Sequence, residues 1–161
     1  MKEMKEEVRI RLRSTRFEVE ASLFTEEDGM LHSVEQKEPE PEVIEINARG
    51  TLCRREGRVE ISYEETEATG MAGSVTAISF REDEPWVVSM IREGAVSTVL
   101  VFEEACRHHC LYQTPFMPFE VCVHTLKVDN RLADEGRLAL DYIIEIRGAR
   151  AERTKFEMEV L

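Results

Sequence analysis

Apolar and charged residues alternate one by one along most of this chain. Val8-Arg9-Ile10-Arg11-Leu12-Arg13 opens the pattern, and Phe156-Glu157-Met158-Glu159-Val160 still carries it near the C-terminus. Successive side chains of a strand point to opposite faces, so the alternation makes one apolar wall and one charged wall. A helical stripe through Met4, Val8 and Leu12 competes at the start, but it strands Ile10 on the wrong side. Repeated through 161 residues, the pattern predicts a single all-β domain, an antiparallel barrel of about 8–10 strands. A chain of this length buries roughly 70% of its unfolded surface, so it needs neither disulfide nor structural metal to fold.

The formal net charge of −12 sets the partners aside by sign. Nucleic acid is bound mainly by basic side chains neutralising phosphates, and an anionic membrane surface by basic clusters, so neither is expected. No apolar run approaches the ~20 residues of a membrane-spanning helix. The charged start Met1-Lys2-Glu3-Met4-Lys5-Glu6-Glu7 does not read as a secretory signal. Without one, Cys53, Cys106, Cys110 and Cys122 are expected as reduced thiols in a cytoplasmic protein.

Strands are expected near 7–16, 42–54, 59–63, 74–81, 86–92, 96–102, 106–113, 119–128, 137–147 and 152–160. Residues 18–41 break the alternation and read as an excursion, with a turn at Glu26-Glu27-Asp28-Gly29 and extended chain at Glu38-Pro39-Glu40-Pro41. Gly50 is expected to mark a bulge or bend, and Gly148 the hinge of the last hairpin. Arg9, Arg11 and Arg13 form one outward row, and Glu157 and Glu159 another. Pairing of the two terminal strands would bring these rows together and close the barrel; the rival is an arginine row set against Glu60 and Glu64.

Two groups of residues bear on chemistry. Cys106-Arg107-His108-His109-Cys110, followed by Cys122 and His124, is a ligand-like concentration. Zinc favours such side chains, but Cys106 and Cys110 on one strand would sit about 13 Å apart, too far for one tetrahedral ion. That leaves His108 with one cysteine and a cross-strand partner, or simply small thiols and edge histidines; no metal and no cofactor is expected. In Tyr63-Glu64-Glu65-Thr66-Glu67, Glu65 follows Tyr63 onto the inner face. A buried glutamate needs a partner, and Arg92, ending an apolar strand, is the best candidate. The pair reads as structural, or as a polar anchor for a ligand in the barrel. Tyr63, Tyr112, Trp86, Phe80 and Phe102 occupy strand positions and read as core rather than as a binding platform. No nucleotide loop or nucleophile elbow is present.

The order of short motifs is itself informative. Arg49-Gly50-Thr51, Ile61-Ser62-Tyr63-Glu64-Glu65 with Thr69-Gly70, Ile91-Arg92-Glu93-Gly94-Ala95, Phe102-Glu103, Tyr112-Gln113-Thr114-Pro115, Thr125 and Tyr142 follow one another. In this the chain resembles the DUF1934 family of YwiB-like bacterial proteins, clearly over 42–147. The resemblance implies a calycin-like barrel, akin in shape to lipocalins and fatty-acid-binding proteins, and carries no catalytic residues. Met117-Pro118 stands where the family usually has glycine, and 18–41 is longer than its usual first connection.

The expected function is binding of a small, partly apolar or amphipathic molecule inside the barrel, with Arg92, Glu65, Tyr63 and Tyr112 as polar contacts. The alternative is a non-enzymatic interaction module acting as a homodimer, joined through a strand edge or barrel face. A hydrolase or isomerase using Glu65 ranks last, so the chain is not expected to be an enzyme.

Overall fold

The computed structural model describes residues 3–18, 40–69, 72–146 and 149–161. Among them, ten strands follow the alternation: β1 (Met4–Glu18), β2 (Glu42–Arg55), β3 (Arg58–Glu64), β4 (Val75–Arg81), β5 (Glu84–Glu93), β6 (Ser97–Glu103), β7 (Arg107–Gln113), β8 (Pro118–Arg131), β9 (Arg137–Ile146) and β10 (Ala149–Val160). Each pairs antiparallel with its chain neighbours, and β1 also pairs with β10, so the sheet is a closed up-and-down barrel. The expected excursion lies mainly in 19–39, and the Gly148 hinge also falls outside the described residues.

The termini do close the barrel. Arg11 stands opposite Glu159 and Arg13 opposite Glu157. Only the first pairing becomes a contact on that side, Arg11 Nη1 to Glu159 Oε2 at 3.8 Å; Arg13 turns the other way, to Glu45 of β2 at 3.5 Å. Both pairs are exposed and contribute no more than about 1 kcal/mol each. The seam is held by its backbone ladder, which runs from Ile10 opposite Val160 to Glu18 opposite Glu152. Glu60 faces Cys53 of β2 instead.

Gly50 corrects the expectation of a bulge. β2 continues through it in unbroken register against β1, and Gly50 opposite Tyr63 is the last pair of the β2–β3 ladder. A Cβ there would collide with the Ile10 side chain and stand 2.7 Å from the Ser62 carbonyl oxygen. Glycine is needed for close packing of three strands. The β2–β3 turn, by contrast, does need unusual backbone: Glu56 and Gly57 have φ of 51° and 76°, as a two-residue hairpin requires.

Hairpins of an up-and-down barrel alternate between its ends. The end carrying the β2–β3, β4–β5, β6–β7 and β8–β9 connections is plugged. There the chain forms a single helical turn, α1 (Leu132–Glu135), which ends at Gly136 with φ 70°. Alternation gives no sign of a turn this short. Leu132 is buried, its amide donates to Asn130 Oδ1 at 3.2 Å, and Arg54 Nη2 donates to the Ala133 carbonyl at 3.0 Å. Above it the interior is solid, with Ile10, Ile61, Ile78, Val88, Phe102 and Val123 fully buried. Phe102 and Tyr142 pack at 4.6 Å between ring centroids. Trp86 departs from the core role expected of it: it lies at the start of β5, at the plugged end, and is 55% exposed. A cavity lies toward the opposite end, the mouth.

Candidate functional site

All three tyrosines of the chain, Tyr63, Tyr112 and Tyr142, line one cavity of about 110 Å³ at the mouth. Its apolar wall includes Leu12, Met90, Leu100 and Phe156. Its polar wall follows from the register. Tyr63 of β3 pairs with Thr76 of β4, Thr76 with Arg92 of β5, Arg92 with Thr98 of β6, and Thr98 with Tyr112 of β7. Across the barrel the scheme recurs: Thr125 of β8 pairs with Tyr142 of β9, Tyr142 with Thr154 of β10, and Thr154 with Arg16 of β1. Long side chains thus alternate with threonines around the barrel. Each threonine leaves room for its long neighbours to reach inward, the large–small alternation that fits side chains into a small barrel.

Glu65 and Arg92 meet as expected. Glu65 lies just past β3, where its amide donates to the Ser74 carbonyl at 2.8 Å, and its side chain is only 2% exposed. The Thr76 hydroxyl donates to Glu65 Oε1 at 2.7 Å, Arg92 Nη2 reaches the same oxygen at 3.4 Å, and Arg92 Nε donates to Thr76 Oγ1 at 3.2 Å. Gly94 lets the β5–β6 turn press on the β3–β4 loop, since a Cβ there would collide with the Ser74 side chain. At the outer lip Arg16 Nε lies 3.7 Å from Glu152 Oε1, which also accepts from Thr154 Oγ1 at 3.2 Å.

Burial sets the chemistry of the tyrosines. It pushes Tyr142 up to about 12, with Tyr112 adding to the effect and Arg92 and Arg16 opposing it. Burial raises Tyr63 further, helped by the Glu65 carboxylate. Tyr112 is also raised by burial, against the pull of Arg92 and Arg16. Near neutrality all three are neutral hydroxyls, able to donate and accept hydrogen bonds. Two further hydroxyls, Thr98 Oγ1 and Thr125 Oγ1, are buried without a partner among the described residues.

The four residues expected at the cavity, Arg92, Glu65, Tyr63 and Tyr112, all line it. Arg16, Tyr142, Glu152 and Thr154 line it too and were not expected there. Arg16 had a legible signal: it continues the inward parity of Ile10, Leu12 and Ser14, an odd place for an arginine. The cysteine–histidine group does not assemble. Cys110 faces Val121 and His108 faces Val123 across the β7–β8 ladder, while Cys122 faces His109. Alternation therefore puts Cys110 and His108 on the inner face and Cys122 and His124 on the outer one. That removes the cross-strand metal geometry left open above, and no three metal-ligating side chains converge among the described residues. The histidines sit beside carboxylates instead, His108 at 3.1 Å from Glu103 and His109 at 3.2 Å from Glu120.

Residues 30–158 match the model of DUF1934, a domain of unknown function. The chain belongs to the DUF1934 family. Its fold is similar to the crystal structure of the ywiB protein from Bacillus subtilis, with a TM-score of 0.65 and 19% identity over 96% of this chain and 93% of that one. At that identity the likeness shows the shared barrel alone. No curated protein matches the sequence. In this DUF1934 barrel, function has to be argued from the cavity itself.

Proposed function

We propose that this barrel binds one small, partly apolar molecule in the mouth cavity. The observation that carries the reading is the division of that cavity: Leu12, Met90, Leu100 and Phe156 on one part of its lining, Arg92, Glu65 and three tyrosines on another. An apolar wall with a few convergent polar groups is the usual make-up of a ligand site. Its volume limits the guest. Drug-sized ligands occupy roughly 300–1,000 Å³, whereas an apolar cavity of about 150 Å³ takes up benzene. A guest of a few heavy atoms fits about 110 Å³. The role is binding rather than catalysis, because burial keeps the tyrosines protonated and Glu65 is engaged by Thr76 and Arg92. The four free thiols support a reducing, cytoplasmic setting. A fragment screen by NMR tests the reading. Shifts should centre on the rings of Tyr63, Tyr112 and Tyr142 and leave the Trp86 indole unmoved; hits spread over the surface, or none, would remove it.

A second reading, a homodimer, draws on the outer wall of β4–β6. Ala77, Ile91 and Val99 form one uncharged row there, and Ser89 and Val101 belong to the next. Two chains that each carry −12 approach most easily where neither presents charge. Sedimentation should then show a dimer that Val99→Lys dissociates; a monomer at all concentrations would end this reading.

A further inference from the structure

We infer that the guest is a short-chain monocarboxylate, its carboxylate on the free edge of Arg92 with Arg16 opposite, and its tail against Leu12, Met90, Leu100 and Phe156. This rests on the ligand-binding reading and adds the chemical class.

Arg92 has more donors than its neighbours engage. A guanidinium has five N–H groups in a planar fork. Thr76 accepts from Nε and Glu65 from Nη2, both on one edge. Among the described residues no partner is found for Nη1. The group lines the cavity while its side chain is 14% exposed, so it is held from behind and still has donors to offer. A cation fixed in this way loses little freedom on meeting an acceptor. The acceptor that suits a planar fork is a carboxylate, bound by parallel charge-assisted hydrogen bonds.

A second cation faces the same space. Arg16 belongs to β1, across the barrel from β5, and both arginines act on the hydroxyls of Tyr112 and Tyr142. An anion near these phenols therefore feels the positive charge of both guanidiniums. The lip already holds one carboxylate, Glu152, against the single guanidinium of Arg16 and the Thr154 hydroxyl.

Charge then limits the anion. Arg92 and Arg16 are balanced by Glu65 and Glu152 among the lining residues. A single negative charge can be absorbed by spare donors. A phosphate or dicarboxylate would place two or more negative charges in a neutral cavity of a chain at −12. The volume restricts the tail to a few carbons.

Calorimetric titration of the full chain with butyrate and butyramide, each of a size the cavity admits, separates the inference from the reading beneath it. The two probes share shape and tail and differ in charge. Butyrate should bind at least tenfold more tightly than the amide. Arg92→Gln should abolish that preference, and Arg92→Lys should keep part of it. Arg16→Gln, at the more exposed lip, should weaken butyrate severalfold and butyramide less, narrowing the preference, which keeps the test valid if Arg92→Gln fails to fold. Equal binding of both probes, or tighter binding of the amide, would overturn the carboxylate and leave the cavity as a neutral site. If neither probe binds at millimolar concentration, the carboxylate inference falls; the ligand-binding reading falls with it only if the fragment screen is also empty.

Discussion

Arg92 Nη2 and Glu65 Oε1 lie 3.4 Å apart inside the mouth, with the Thr76 hydroxyl bonded to both side chains. A buried pair of this kind contributes little net stability when intact, because both charges were taken out of water. Breaking it is costly. Glu65→Leu strands the guanidinium and Arg92→Leu strands the carboxylate, each with an expected loss of about 3–5 kcal/mol. The double variant should lose much less than the sum. Urea denaturation of the four chains checks this, and additive losses would show that the side chains act separately.

The tyrosines give the barrel an alkaline limit. A phenol whose folded pKa is raised loses its proton more readily in the unfolded chain. Its contribution is full below about pH 10 and fades as pH rises toward 12 for Tyr142. Stability is therefore expected to fall above pH 10, by up to about 1.4 kcal/mol per pH unit for each such tyrosine. Tyr142→Phe should flatten the slope. In the native protein, tyrosinate absorbance should stay flat through pH 10 and rise only with unfolding; a native titration at the ordinary value would refute the burial.

Thr98 and Thr125 carry hydroxyls with no partner among the described residues. Replacing an unpaired buried hydroxyl by a methyl group of like shape removes a desolvation penalty of about 1–3 kcal/mol. Thr125→Val, at a fully buried position, is expected to raise the thermal midpoint. A loss of stability would show that the hydroxyl is engaged.

Gly50 allows β1, β2 and β3 to pack closely, and Gly50→Ala should cost about 1–3 kcal/mol by overpacking. Ile10→Val in the same chain should recover only part, because it removes the side-chain clash and leaves the Ser62 carbonyl in the way. Full recovery would place the whole strain at Ile10.

The barrel was legible because its grammar is local. Alternation assigns each residue a face, and the opposed rows of Arg11, Arg13, Glu157 and Glu159 pointed to the seam. Arg92 and Glu65 could be paired because each was a charge on an otherwise apolar face. Register was not legible. The Tyr63–Thr76–Arg92–Thr98–Tyr112 row exists only once five strands have chosen their offsets, and a shift of one residue would turn each side chain outward. Gly50 misled for a similar reason, since what surrounds a glycine depends on its neighbours across two ladders. Trp86 misled because alternation assigns a face but does not say where the barrel ends.

The central claim is that the mouth cavity holds a small guest. Native mass spectrometry of the protein, purified without denaturation from the cell that makes it, tests this most directly. The expected spectrum shows the chain with one small organic adduct, displaced by butyrate and lost in Arg92→Gln. A bare chain under the gentlest conditions, with no adduct formed on adding butyrate, butyramide or any hit of the fragment screen, would contradict it.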